Sequence, residues 1–126
     1  MQTSNFAQLR SGKIQYPVSI CRFPPRWYKG PRYYKLAPTA EMLARAKRAA
    51  PGSDEEARYF IEFEDQLRMF APAMVVQELQ AFYPGVNPEE ITLLCFEVVG
   101  KPCHRHLVAE WLTEAGFPTQ EFQDAP

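Results

Sequence analysis

Residues 91–112 read ITLLCFEVVGKPCHRHLVAEWL, from Ile91 to Leu112, and the reading of this stretch decides the fold. Ile91-Thr92-Leu93-Leu94-Cys95-Phe96 is a short apolar run without polar alternation. That pattern predicts a strand covered on both faces, as in a parallel sheet flanked by helices. Side chains alternate along a strand, so Ile91, Leu93, Cys95 and Glu97 share one face and Thr92, Leu94 and Phe96 the other. Glu97 falls at the C-terminal end, where open α/β sheets bind ligands. A five-residue turn follows. Pro102 suits the first position of a helix, where its missing N–H costs nothing. Cys103, His104 and Arg105 then fall in the first turn, whose unsatisfied N–H groups and positive dipole end favour an anion. Helical spacing aligns His104 with Val108, Trp111 and Ala115 on the sheet-facing stripe and turns His106 to solvent.

Working outward, Ile14–Cys21 (IQYPVSIC) is the second predicted strand, and Pro17 assigns it to an edge or a bulge. Thr39 caps a helix over 40–50, which Pro51-Gly52 ends. Ser53-Asp54-Glu55-Glu56 is a capping box that opens the next helix, with Phe60, Phe63, Leu67 and Phe70 on its stripe. Pro72 interrupts the run, and a third helix covers about 73–83. Residues 1–12 read as a turn or helical start. Gly116 caps the last helix, and 117–126 reads as a loose tail. The expected architecture is a small Rossmann-like three-layer α/β domain over 1–126, with a short, mainly parallel sheet flanked by helices. Its order is strand, three helices, strand, helix.

The motif C-x-E, a turn, then Cys103-His104-Arg105-x-Leu107-Val108-Ala109-x-Trp111-Leu112 resembles the domain-of-unknown-function family 488. The N-terminal third is similar to the short members of that family. The matching residues are Pro17-Val18-Ser19-Ile20-Cys21-Arg22, then Pro25-x-Trp27-Tyr28-Lys29-Gly30, then Tyr34-Lys35-Leu36-Ala37-Pro38-Thr39. Cys21 stands where the family usually has serine, and Phe23-Pro24 replaces a smaller pair. The resemblance covers about half of the chain and implies a fold and a site without naming an activity.

A chain of 126 residues with 46% hydrophobic and 23% charged residues is ordinary for one globular domain. No apolar run approaches the roughly 18 residues of a membrane span, so a soluble protein away from membranes is expected. Three cysteines at 21, 95 and 103 without CxxC spacing argue against a structural zinc site and for reduced thiols in a cytoplasm. No metal or cofactor is expected. The net charge of −1 conceals a polarity. Residues 1–50 carry ten Lys/Arg against Glu41 alone, whereas 51–126 carry fourteen acids against four bases. Either the halves neutralise each other across the fold, or a basic face seeks a polyanion or another copy of the chain.

The loop 22–35 interleaves Arg22, Arg26, Lys29, Arg32 and Lys35 with Trp27, Tyr28, Tyr33 and Tyr34. Cations neutralise phosphate and aromatic faces stack bases. Arg22, Lys29 and Arg105 are therefore the candidate phosphate ligands, with Trp27 and Tyr28 as stacking platforms; the bland reading makes the aromatics core. Cys103 is the candidate nucleophile, with His104 as its base and Glu97 as a partner or second base. The alternatives are an inert buried thiol, a core histidine satisfied by a backbone carbonyl, and an ion pair of Arg105 with Glu97 or Glu110. The favoured expectation is binding, and in a further step processing, of a nucleotide or nucleic-acid phosphate at the strand end. A thiol-dependent enzyme using Cys103 and a protein-interaction module are the other two readings.

Overall fold

The structure is a computed structural model, and it describes residues 1–96 and 103–122. Glu97 and Pro102 lie outside these residues. Four strands form one all-parallel sheet: β1 (Gln2–Asn5), β2 (Tyr16–Ser19), β3 (Ile91–Cys95) and β4 (Gln120–Glu121), in the spatial order β2-β3-β1-β4. β3 is buried at all five positions between β2 and β1, as its unbroken apolar run requires. β2 is an edge strand, so Pro17, which has no N–H to donate, sits where the ladder tolerates it.

Helices cover both faces. α2 (Ala40–Arg48), α3 (Asp54–Arg68), α4 (Pro72–Gln80) and α5 (His104–Glu114) enclose the larger core, in which Ile91, Leu93 and Val18 meet Phe63, Leu67, Leu79, Val108 and Leu112. On the other face Leu94 meets Phe6, Ile14, Cys21 and Tyr28, supplied by the short α1 (Phe6–Arg10), the segment leading into β2 and the loop after β2. The alternation along β3 thus divides the two cores as its sequence predicts. The caps follow their chemistry. The Thr39 and Ser53 hydroxyls accept from Met42 and Glu56 N–H, and Pro72 opens α4 at its first turn.

Three corrections to the sequence reading matter here. Residues 2–5 form an inner strand, paired along its length with β3 and at Gln2 and Thr3 with β4, and its buried Thr3, Ser4 and Asn5 carry no apolar signature. The tail is tied in through residue 122. α5 ends in a Schellman motif, with Gly116 N–H on the Thr113 carbonyl, Phe117 N–H on the Leu112 carbonyl and Gly116 at φ 95°. The chain then returns so that Gln120 and Glu121 pair with Gln2 and Thr3. Finally, α5 begins two residues later than expected. Cys103 is its extended N-cap residue and His104 its first helical one. The buried stripe is consequently His104, Arg105, Val108 and Leu112, with Ala115 exposed.

Candidate functional site

β3 ends at Cys95 and α5 starts at His104, and the two elements bring their sulfur, imidazole and guanidinium groups together. Cys95 Sγ and Cys103 Sγ are in contact, although their Cα atoms stand 7.7 Å apart. That separation exceeds the roughly 4.4–6.8 Å over which disulfides normally form, so the two stand as facing thiols. His104 Nδ1 lies 3.7 Å from Cys103 Sγ, and Nε2 lies 2.6 Å from the Ile20 carbonyl oxygen just past β2. A carbonyl only accepts, so Nε2 carries the proton and Nδ1 presents its lone pair to the sulfur. The ring packs edge-on against Phe63 at 5.1 Å. Burial, foremost, with the charge of Arg105, lowers the His104 pKa to about 4 despite the raising effect of the Ile20 carbonyl. The imidazole is therefore neutral near pH 7.

Arg105 is fully buried. Its Nε donates to both carboxylate oxygens of Glu121, at 3.1 and 3.2 Å, and one terminal nitrogen reaches Cys95 Sγ at 3.1 Å. The Thr3 hydroxyl donates to the same carboxylate at 2.8 Å. Among the described residues Glu121 is thus the carboxylate that meets Arg105, rather than Glu110, and the expected pairing with Glu97 lies outside those residues. No motif marked it, since it sits in a polar stretch whose strand is only two residues long. Cys95 was likewise noted for its face and not for its chemistry, and it becomes a site residue only because α5 returns across the end of its strand.

Of the expected phosphate residues Arg105 joins this cluster, whereas Arg22 and Lys29 and the stacking residues Trp27 and Tyr28 do not converge with it. Arg22 turns toward residues 34–38, where Nε donates to the Pro38 carbonyl at 2.9 Å and the guanidinium lies 5.0 Å from the Tyr34 ring. It holds a loop together. Tyr28 is enclosed, with its hydroxyl donating to the Pro31 carbonyl at 2.7 Å and Phe6 edge-on to its ring at 5.3 Å, so it offers no face to a base. Lys29 is exposed. Trp27 keeps an exposed face, 42% accessible, with the Arg10 guanidinium 5.2 Å from its ring and Phe6 edge-on to it. Phe96 is half exposed and packs on Phe6 at 5.3 Å, next to Cys95.

The fold and the site define a small parallel α/β protein with a buried Cys-Cys-His-Arg cluster at the C-terminal end of an inner strand. Over residues 4–116 the chain matches the family model DUF488-N3a, described as the active DUF488-N3 subclade, and it belongs to that family. No curated protein and no solved structure matches it. Among the described residues, no helix is long and apolar enough to cross a membrane.

Proposed function

We propose that the protein is a thiol-dependent enzyme with Cys103 as its nucleophile. One observation carries this reading. His104 is locked by the Ile20 carbonyl in the tautomer that aims a lone pair at Cys103 Sγ. An anchored imidazole beside a thiol is the arrangement of an activated nucleophile with its base. In the step envisaged, the proton of Cys103 passes to Nδ1 as sulfur bonds to an electrophilic centre of the substrate. The leaving group takes that proton back, and water or a second acceptor releases the product. The buried imidazolium is costly, so proton transfer accompanies bond formation and no standing thiolate–imidazolium pair is built up. Arg105 holds Cys95 and, through Glu121, ties β4 to the site. It acts as a positioning residue. A dithiol chemistry of this kind fits a reducing compartment, which supports a cytoplasmic setting.

The test is the rate of iodoacetamide modification, with a chelator present. Cys103 is expected to react faster than Cys21 and Cys95, and His104→Gln to slow Cys103 without affecting Cys21. Equal, slow reaction of all three thiols would refute the reading.

A second reading, recognition of a nucleotide or single-stranded nucleic acid, is favoured by Trp27 and Phe96, whose exposed rings flank Phe6 at the same strand ends. Such faces stack bases and the neighbouring Arg10 suits phosphate. Short oligonucleotides should then quench Trp27 emission, less so as salt rises. Emission that stays unchanged at low salt rejects it.

A further inference from the structure

We propose that Cys95, Cys103 and His104 form a binding site for a soft divalent cation, zinc being the fitting ion. The sequence argues against a structural zinc site, because the three cysteines have no CxxC spacing. The fold supplies what spacing does not. Two Sγ atoms and a ring nitrogen of His104 all lie within 4.8 Å of one another, and all three residues are buried.

Three features favour a cation there. The first is the second shell. A metal-bound histidine typically donates its other ring N–H to a carbonyl or carboxylate, which fixes the tautomer and aims the free nitrogen inward. His104 does this with the Ile20 carbonyl, and its Nδ1 faces the Cys103 sulfur. The second is reach. Thiolates about 2.3 Å from a tetrahedral zinc sit roughly 3.8 Å from each other. The 7.7 Å between the Cα atoms is beyond a disulfide's span, and inserting an ion lengthens that span. The third is charge. Two adjacent thiolates oppose each other's ionisation. A divalent ion compensates both, while Arg105 is paired with Glu121. The Arg105 N–H on Cys95 Sγ then serves as a hydrogen bond to a metal-bound sulfur. Two cysteines and one histidine are also a ligand set used by catalytic zinc centres, which keep a fourth position for water or substrate.

Binding itself rests on the geometry of the three side chains. Its consequence for activity rests on the thiol-enzyme reading: zinc would occupy Sγ of Cys103 and Nδ1 of His104, the two atoms the reaction needs, and so hold the nucleophile in reserve.

The experiment uses the full chain, stripped with a chelator and titrated with zinc chloride against a chromophoric competitor. Cobalt is substituted in parallel to read the ligands by absorption. One zinc per chain is expected, with a thiolate-to-cobalt charge-transfer band. Cys95→Ser, Cys103→Ser and His104→Gln should each weaken binding more than about tenfold, at least the loss that removing an outer-shell partner causes. Cys21→Ser should bind as the wild type does. The wild-type chain gives an independent readout that no folding defect can confuse: zinc should slow alkylation of Cys95 and Cys103 and leave Cys21 unaffected. Absence of stoichiometric zinc, absence of the thiolate band, or no protection of the two thiols overturns the inference. Zinc binding with protection, combined with a metal-free Cys103 no faster than Cys21, upholds the metal site and removes the thiol-enzyme reading. Fast Cys103 with no response to zinc does the reverse.

Discussion

Arg105 shows how one residue sets the character of the site. A guanidinium cannot shed its charge, so a fully buried one must be compensated, and among the described residues the carboxylate that meets it is Glu121, itself about a quarter exposed. Removing one partner of a buried pair strands the other, at about 3–5 kcal/mol. Glu121→Gln should therefore lower stability by about 3 kcal/mol, toward the low end because Glu121 keeps some solvent, read as the midpoint of urea unfolding. An unchanged midpoint would mean that the charge is balanced elsewhere. The same geometry explains why Arg105 is unsuited to the role of surface phosphate ligand that its place in the first turn suggested. First-turn position was legible in the sequence; whether the side chain turns out to a ligand or in beneath a returning strand was not.

At the scale of elements, legibility followed hydrophobic pattern. β3, α3 and the Thr39 and Ser53 caps were readable because each leaves a local signature of apolar period or cap chemistry. β1 and β4 were not, because Gln2–Asn5 and Gln120–Glu121 owe their strand state to neighbours distant in sequence. The candidate site divides the same way. Cys103, His104 and Arg105 were marked by their helix start, whereas Cys95 as a site residue and Glu121 needed the tertiary fold. The loop after β2 shows a local signal whose meaning only packing reveals. Gly30 stands there because a Cβ would lie 2.5 Å from the Tyr28 hydroxyl oxygen and 2.7 Å from the ring carbon bearing it. Tyr28 is buried and hydrogen-bonded, so it yields little. Gly30→Ala should cost about 1–3 kcal/mol through overpacking. Combining it with Tyr28→Phe should cost less than the two separate losses added together. Strict additivity in thermal melts would show that the two residues do not press on each other.

Over the whole molecule, the opposite charges of the two halves of the chain meet in part across the fold, through Lys35–Glu78 and Arg45–Glu62, both on the surface. Exposed pairs contribute about 0–1 kcal/mol each, so they settle orientation more than stability. The phenols are a stronger lever. Burial raises the pKa of Tyr28, Tyr33 and Tyr83 above the ordinary value of 10, and the Tyr28 and Tyr83 hydroxyls both point to the Pro17 carbonyl of the edge strand. An acid held neutral by the fold supports it fully below its unfolded pKa, and that support is lost as pH rises past 10 toward the folded value. The urea midpoint should thus fall between pH 9 and pH 11, and less steeply in Tyr28→Phe. A flat midpoint over that range would contradict the burial effect. The placement of β1 in the middle of the sheet also bears on how the chain is made. Its partner on β3 lies 90 residues further along, so during translation at about 5–20 residues per second the first strand must wait roughly 5–18 s for that neighbour to be synthesised. Pairings this remote fold slowly, and exposed strand edges invite aggregation in the interval. Gln-Thr-Ser-Asn is a poor seed for such contacts. The polarity that hides β1 from a hydrophobic reading also keeps the nascent chain safe until its sheet can close.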